Sequence, residues 1–185
     1  MGRLQAALSF RPMSLQAYCL FDTPIGRCGI AWTDSGVSSV LLPDTNDAAL
    51  RAHLQRRFPH AHETAPPHDV KRAIDAMAAL LAGETTDLSF VALDMTGVPE
   101  FNQRVYQSAR LIRPGTTVTY GELARRLGIP GSARAVGQAL GRNPFPIVVP
   151  CHRVLAAEGK TGGFSAPGGT ATKLRMLAIE GERLL

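Results

Sequence analysis

The segment "IVVPCHRVLA", residues 147–156, sets a cysteine beside a histidine between two aliphatic runs, with Pro150 before them and Arg153 after. Cysteine attacks as the thiolate, and a thiol of pKa about 8.5 is only a few per cent ionised at neutral pH. A nearby base raises that fraction, and a carboxylate can orient the base. These residue types suit nucleophilic chemistry at sulfur. Neighbouring side chains on a strand point to opposite faces, so Cys151 and His152 cannot pair directly in regular β-structure. Pro150 lacks the N–H that a central strand position needs. The segment is expected to leave its strand at Pro150, with His152 reaching the thiol through a turn or a water. Arg153 would brace the segment through an ion pair.

Upstream, "TYGELARRLGIPGSARAVGQALGRNP", residues 119–144, predicts two short helices around a tight turn. Thr119 and Glu122 form the T-x-x-E pattern of a capping box. "GIPG" breaks the first helix, Ser132 is placed to cap the second, and "NP" ends it. This spacing predicts a helix-turn-helix. At about 100° per residue, Val136, Ala139 and Leu140 share the inner face of the second helix. Arg134, Gly137, Gln138, Gly141 and Arg142 share the outer face. A base-reading helix carries several long hydrogen-bonding side chains there, whereas two of these five are glycine. The pattern fits a close, sequence-tolerant approach to a DNA backbone or minor groove, with Arg134 as the long group near the helix start.

The remaining elements must hold these two features. Residues 16–42 alternate strand-like runs with Pro/Gly turns and predict a small antiparallel meander. "DAALRAHLQRRF" and "VKRAIDAMAALLAG" predict helices, the first capped by Asn46, joined by a polar, Pro-rich connector. "LSFVAL" predicts a short strand. "EFNQRVYQSARLI" predicts a helix with Phe101, Val105, Ala109 and Ile112 on one face. The expected organisation is a flexible leader over residues 1–15, an α/β unit over 16–96, and an α-rich unit over 97–185.

The chain has 185 residues, 45% of them hydrophobic, enough for a sizeable core. No apolar run approaches the 18 or so residues of a membrane span, and the N-terminus does not read as a signal peptide. Three cysteines without a signal fit a reducing cytoplasm, with Cys19 and Cys28 as buried hydrophobes. The net charge of +5 is concentrated: between Arg104 and Arg153 lie eight arginines against the single acid Glu122. That favours a polyanionic partner. His60 and His62 lack the companions of a zinc site, so no metal is expected. "EGKT" at 158–161 lacks the earlier glycine of a phosphate loop, since position 154 is Val154, and no GxGxxG occurs. No cofactor is implied.

"PCHRV" at 150–154, with "RAVG" at 134–137, "NP" at 143–144 and "IEG" at 179–181, resembles the O6-alkylguanine-DNA alkyltransferases, in a bacterial form. The likeness covers residues 98–185 well, and the N-terminal half only loosely through "FDTPIG". It implies a ribonuclease H-like N-terminal α/β unit and a C-terminal unit that binds double-stranded DNA through the minor groove. It implies a monomer that transfers an alkyl group from O6 of guanine, and in some cases O4 of thymine, to Cys151. In that reading His152 acts as base through a water, Glu180 orients it, and Tyr120 donates to the guanine ring. Arg134 fills the gap left by the flipped nucleotide, Asn143 braces the turn before the active segment, and Ala133, Ala135, Gly137 and Gln138 lie against DNA. Backbone carbonyls of Cys151 and Val154 would read the guanine amino group. Leu140 and Pro146 would line the alkyl pocket and Ser165 the loop over the base. The stretch between Ser165 and Glu180 is two residues longer than in animal members, with Ala166-Pro167 as the insertion.

Two other readings use the same residues. A damage-recognising DNA binder would bind without efficient transfer, and relatives of that kind replace the cysteine. A cysteine hydrolase would use Cys151, His152 and Glu180, but leaves the paired helices and the arginines unexplained.

Overall fold

The computed structural model describes residues 16–157 and 160–182. The expected leader, residues 1–15, lies outside them. Three strands, β1 (Ala17–Thr23), β2 (Gly26–Thr33) and β3 (Gly36–Leu41), form the antiparallel meander. A fourth, β4 (His62–Glu63), pairs parallel to β1, giving the order β3-β2-β1-β4 and a mixed sheet. The connector therefore contains a strand that its polar composition hides. Its residues are exposed, so no apolar alternation marks them.

Helix α1 (Asp47–Arg57) starts at Asn46, whose side chain accepts from the Ala49 N–H as expected. Helix α2 (His68–Leu81) buries Val70, Ala73, Ile74, Met77, Leu80 and Leu81, a stripe at helical spacing. The expected strand over residues 88–93 is absent. Only Leu93 makes a bridge, to Val37. The carbonyls of Leu88, Ser89 and Val91 instead turn toward the guanidinium of Arg110, which donates to each at 2.9 Å. One side chain thus satisfies backbone groups that a strand partner would otherwise take.

Helix α3 (Glu100–Ala109) buries Val105, Tyr106 and Ala109. Ile112 is buried too, although the helix ends before it. The Tyr106 hydroxyl donates to the Ala139 carbonyl at 2.9 Å, and its ring meets Phe145 edge-on at 6.3 Å. The short strand β5 (Val118–Thr119) runs into α4 (Tyr120–Arg126), then a turn, then α5 (Ala133–Gly141). The Thr119–Glu122 capping box is formed in both directions. Ser132 occupies the cap position of α5, but its hydroxyl makes no capping hydrogen bond. Val136, Ala139 and Leu140 are buried, as their spacing requires. After a single turn of 3-10 helix, Cys151–Arg153, the strand β6 (Val154–Leu155) pairs parallel to β5. Helix α6 (Gly169–Ile179) closes the fold. The larger hydrophobic cluster runs from the sheet, through Trp32, Val40 and Met77, to Phe145, Val149 and Met176, and a smaller one joins Tyr18, Ala31 and Leu54.

Candidate active site

No strand precedes Pro150. Residues 145–149 curl through turns, and Cys151–Arg153 is 3-10 helix. Asn143 explains why an aliphatic run does not extend here. Its side-chain Nδ2 donates to the Val149 carbonyl and its Oδ1 accepts from the Phe145 N–H, both at 2.9 Å. The Val149 N–H also donates to the Phe145 carbonyl at 2.8 Å. The loop is tied at both ends and holds Ile147 at φ 75, the one non-glycine residue with positive φ among the described residues. A β-branched side chain is strained there. Ile147 is kept in place by near-complete burial.

The 3-10 turn separates the two side chains of the motif. Successive residues of a 3-10 helix point about 120° apart, so Cys151 stands half-buried while His152 is fully buried. Behind them Glu180, at the end of α6, gathers the neighbours. The His152 Nε2–H donates to Glu180 Oε1 at 2.9 Å. Arg153 grips both carboxylate oxygens at 2.8 Å and donates to the Ile112 carbonyl at 2.6 Å. Arg153 is thus a brace, buried to 4% exposure and turned away from the surface.

These contacts set the charges. Burial pushes the Glu180 carboxyl up, but the hydrogen bonds and charges of His152 and Arg153 outweigh it and hold it at about 2. Burial pushes the His152 imidazole below its ordinary value, against the pull of Glu180. Arg153 already balances the carboxylate, so a protonated His152 would add an uncompensated charge. His152 Nδ1 is buried and has no protein partner among the described residues. Burial raises the Cys151 thiol, opposed by the Asn143 amide, the Lys173 ammonium and the backbone N–H groups of Cys151 and His152. The arrangement holds a neutral thiol beside a neutral imidazole, with several groups ready to stabilise a sulfur anion.

Cys151 lines a cleft of about 940 Å³ with Tyr120, Ala133, Arg134, Gly137, Gln138, Leu140 and Ser165. Tyr120 is half-buried, and burial followed by the Cys151 charge raises its phenol, which favours the donor form. Gly137 faces its ring: a Cβ there would stand 3.7 Å from the ring edge. The Ser165 hydroxyl donates to the Gly141 carbonyl at 2.9 Å and pins the loop to the end of α5. Of the remaining expected residues, Ala135 does not line the cleft. Val154 is fully buried, and Pro146 lines a smaller adjoining chamber. The carbonyls of Cys151 and Val154 are already engaged, the first by the Val154 N–H, the second by Lys173 Nζ at 2.7 Å. Each has a second lone pair for a ligand.

Lys173 is the buried charged residue at the site that its motifs do not announce. It has no exposed surface, and its Nζ donates also to the Thr161 carbonyl at 2.6 Å and lies 5.8 Å from the Tyr120 ring centre. Burial pushes it down to about 8, with the Cys151 charge opposing. Its sequence signal is positional: it falls three, four and seven residues before Met176, Leu177 and Glu180, on the inner face of α6. Among the described residues, no group of three or more His, Cys, Asp or Glu side chains could hold a metal ion, and no helix is long and apolar enough to cross a membrane.

Residues 100–182 match the family model described as 6-O-methylguanine DNA methyltransferase, DNA binding domain. The methylated-DNA–protein-cysteine methyltransferase of Mycobacterium tuberculosis is 42% identical over 167 residues, covering 90% of this chain and 93% of that protein. Its namesake from Methanothermobacter thermautotrophicus is 35% identical over 161 residues, covering 87% and 83%. The fold superposes on the crystal structure of Mycobacterium tuberculosis OGT in complex with DNA with a TM-score of 0.71 and 37% identity, over 89% of this chain and 92% of that one. With such identity spread over nearly the whole length of both chains, this protein belongs to the 6-O-methylguanine DNA methyltransferase family.

Proposed function

We propose that this protein repairs alkylated DNA by moving an alkyl group from O6 of guanine onto Sγ of Cys151, once per molecule. The observation that carries this is Cys151 on the wall of an open cleft, with the buried His152–Glu180–Arg153 set behind it. A water bridging Sγ to His152 Nδ1 would pass the thiol proton to the imidazole. The S–C bond then forms as the C–O6 bond breaks, and the electron pair leaves on the guanine. Tyr120 donates toward the ring, and the proton lost by the thiol ends on the departing base. The product is a thioether, and nothing at the site cleaves it, so no turnover is expected.

In this reading α4 and α5 act as a helix-turn-helix that meets double-stranded DNA from the minor groove. The exposed Arg125, Arg126, Arg134 and Arg142 support phosphate contact there. Arg134 takes the place of a nucleotide flipped into the cleft, with Ala133, Ala135, Gly137 and Gln138 close to the backbone. Residues 16–96 form the ribonuclease H-like unit and 97–185 the DNA-binding and acceptor unit. The protein works as a monomer in the cytoplasm, where its three free thiols stay reduced.

Mass spectrometry after incubation with duplex DNA containing O6-methylguanine tests this. One methyl on the Cys151 peptide is expected, and a methyl on Cys19 or Cys28, or on none, overturns it. Binding to the lesion without transfer would identify a damage-recognising protein, and repeated turnover of an ester would identify a hydrolase.

A further inference from the structure

Cys151 borders a second cavity, a chamber of about 150 Å³ between the two halves of the chain. A water's share of the liquid is about 30 Å³, so this space takes a handful of non-hydrogen atoms. Its apolar walls include Pro146, Phe164 and Pro167. His53 and Arg57 reach it from α1. Both sides are fastened. The Val40 N–H donates to the Pro144 carbonyl at 2.9 Å, which latches the end of β3 to the loop holding Asn143. The Thr172 hydroxyl donates to the Pro167 carbonyl at 2.8 Å, and the Gly169 N–H to the Ala166 carbonyl at 2.9 Å.

The chamber has a charge preference. No carboxylate lines it, and its ionisable groups are Arg57, His53 and the thiol. Arg57 makes no ion pair among the described residues; its guanidinium lies 5.7 Å from the Phe58 ring centre. Displacement at carbon puts sulfur, carbon and the leaving oxygen in a line, so the rest of an alkyl group projects to the side of that line. With the base held in the large cleft, this chamber offers a second space against Cys151.

The chamber holds Leu140 and Pro146, the alkyl-pocket residues that the family resemblance implies, and we infer that Arg57 makes it favour an alkyl group ending in a carboxylate. This rests on the transfer to Cys151 proposed above. For an O6-carboxymethyl group the Sγ–CH2 bond forms, the CH2–O6 bond breaks with its electron pair going to guanine, and the thiol proton ends on the base. The carboxylate is unchanged, and the protein carries S-carboxymethylcysteine.

The test is a set of single-turnover rates at saturating protein, on duplexes carrying O6-methyl-, O6-ethyl- or O6-carboxymethylguanine. In R57Q the ratio of carboxymethyl to methyl rates falls about fivefold, the scale of a partly screened ion pair. In R57K most of that ratio returns, while the ethyl to methyl ratio is the same in all three proteins. Because each ratio is taken within one protein, weaker DNA binding cancels. An R57Q ratio equal to the wild-type ratio overturns the inference, as does an equal fall for ethyl. Absence of methyl transfer in the wild type would instead overturn the transfer reading, which separates the two failures.

Discussion

Lys173 Nζ donates to the carbonyl of Val154 at 2.7 Å from a position with no exposed surface. The same ammonium holds the Thr161 carbonyl, so one buried cation joins α6, β6 and the loop beside the cleft. It also opposes the upward shift of the Cys151 thiol. Lys173→Met keeps the volume and removes the charge and both hydrogen bonds. Alkylation of Cys151 by iodoacetamide at pH 7.5 should slow about tenfold, on the scale of one pKa unit. Lys173→Arg, which keeps the charge, should recover part of that rate.

Lys173 also has a pH signature in stability. Burial lowers it from 10.5 to about 8, so folding opposes its protonation. Between about pH 8 and 10.5 the unfolded chain binds more protons, and this group's contribution to stability rises with pH across that window. Urea unfolding at pH 8 and pH 10 should show a smaller gain, or a larger loss, in Lys173→Met than in the wild type. Equal changes in the two proteins would remove Lys173 as the titrating group.

Glu180 carries the opposite sign. Its carboxyl is held at about 2 against an ordinary 4.5, so its stabilisation is complete above pH 4.5 and is lost as pH falls toward 2. Glu180→Gln leaves Arg153 buried without its counter-ion and should cost about 3 kcal/mol at pH 7, the scale of breaking a buried pair. The acid limb of the stability curve should flatten in the variant. Methyl transfer should fall by about a hundredfold, as for loss of a positioned base. Denaturation curves at several pH values, read beside transfer rates, check both.

Much of this was legible where the signal is local. The T-x-x-E box, the Asn46 cap and the inner face of α5 depend on residues within one or two turns, and each forms as its spacing dictates. Cys151, His152 and Glu180 were legible as a set through the family resemblance, and the hydrogen bond between the last two is present. The failures share a distant cause. Residues 88–93 look like a strand until Arg110 takes their carbonyls. Residues 147–149 look like one until Asn143 ties the loop shut. β4 exists only because β1 offers an open edge. Lys173 looks like any surface lysine of a helix until the carbonyls of Val154 and Thr161 are placed around it.

Gly115 lies against the backbone of Glu180. It has φ 71, and a Cβ built there would stand 2.9 Å from the Glu180 carbonyl oxygen. Backbone cannot give way as the end of a flexible side chain can. Gly115→Ala should therefore cost about 2 kcal/mol from the strained conformation and the close contact together. It should also slow methyl transfer, because the end of α6 carries the partner of His152. Unchanged stability would show that the 113–116 turn relaxes freely.

Asn143 offers the last test, because its two hydrogen bonds hold a conformation that Ile147 would not adopt alone. Asn143→Ala removes the donor to Val149 and the acceptor for Phe145, whose residues are buried. The Val149 carbonyl keeps the Cys151 N–H at 2.8 Å, so the Phe145 N–H is the group left unpaired, at a cost of about 1–3 kcal/mol. The Ile147 strain adds to the drive for the loop to reopen. The expected outcome is a loss of about 3 kcal/mol and a Cys151 whose reaction with iodoacetamide changes as the 3-10 turn loosens. Asn143→Asp separates the contributions: it keeps an acceptor for the Phe145 N–H, loses the donor to Val149, and places a negative charge near the sulfur. If Asn143 stabilises the sulfur anion as well as the loop, the aspartate variant should lose more transfer rate than the alanine variant for a smaller loss of stability. Transfer rates that simply follow stability in both variants would leave Asn143 with the loop alone.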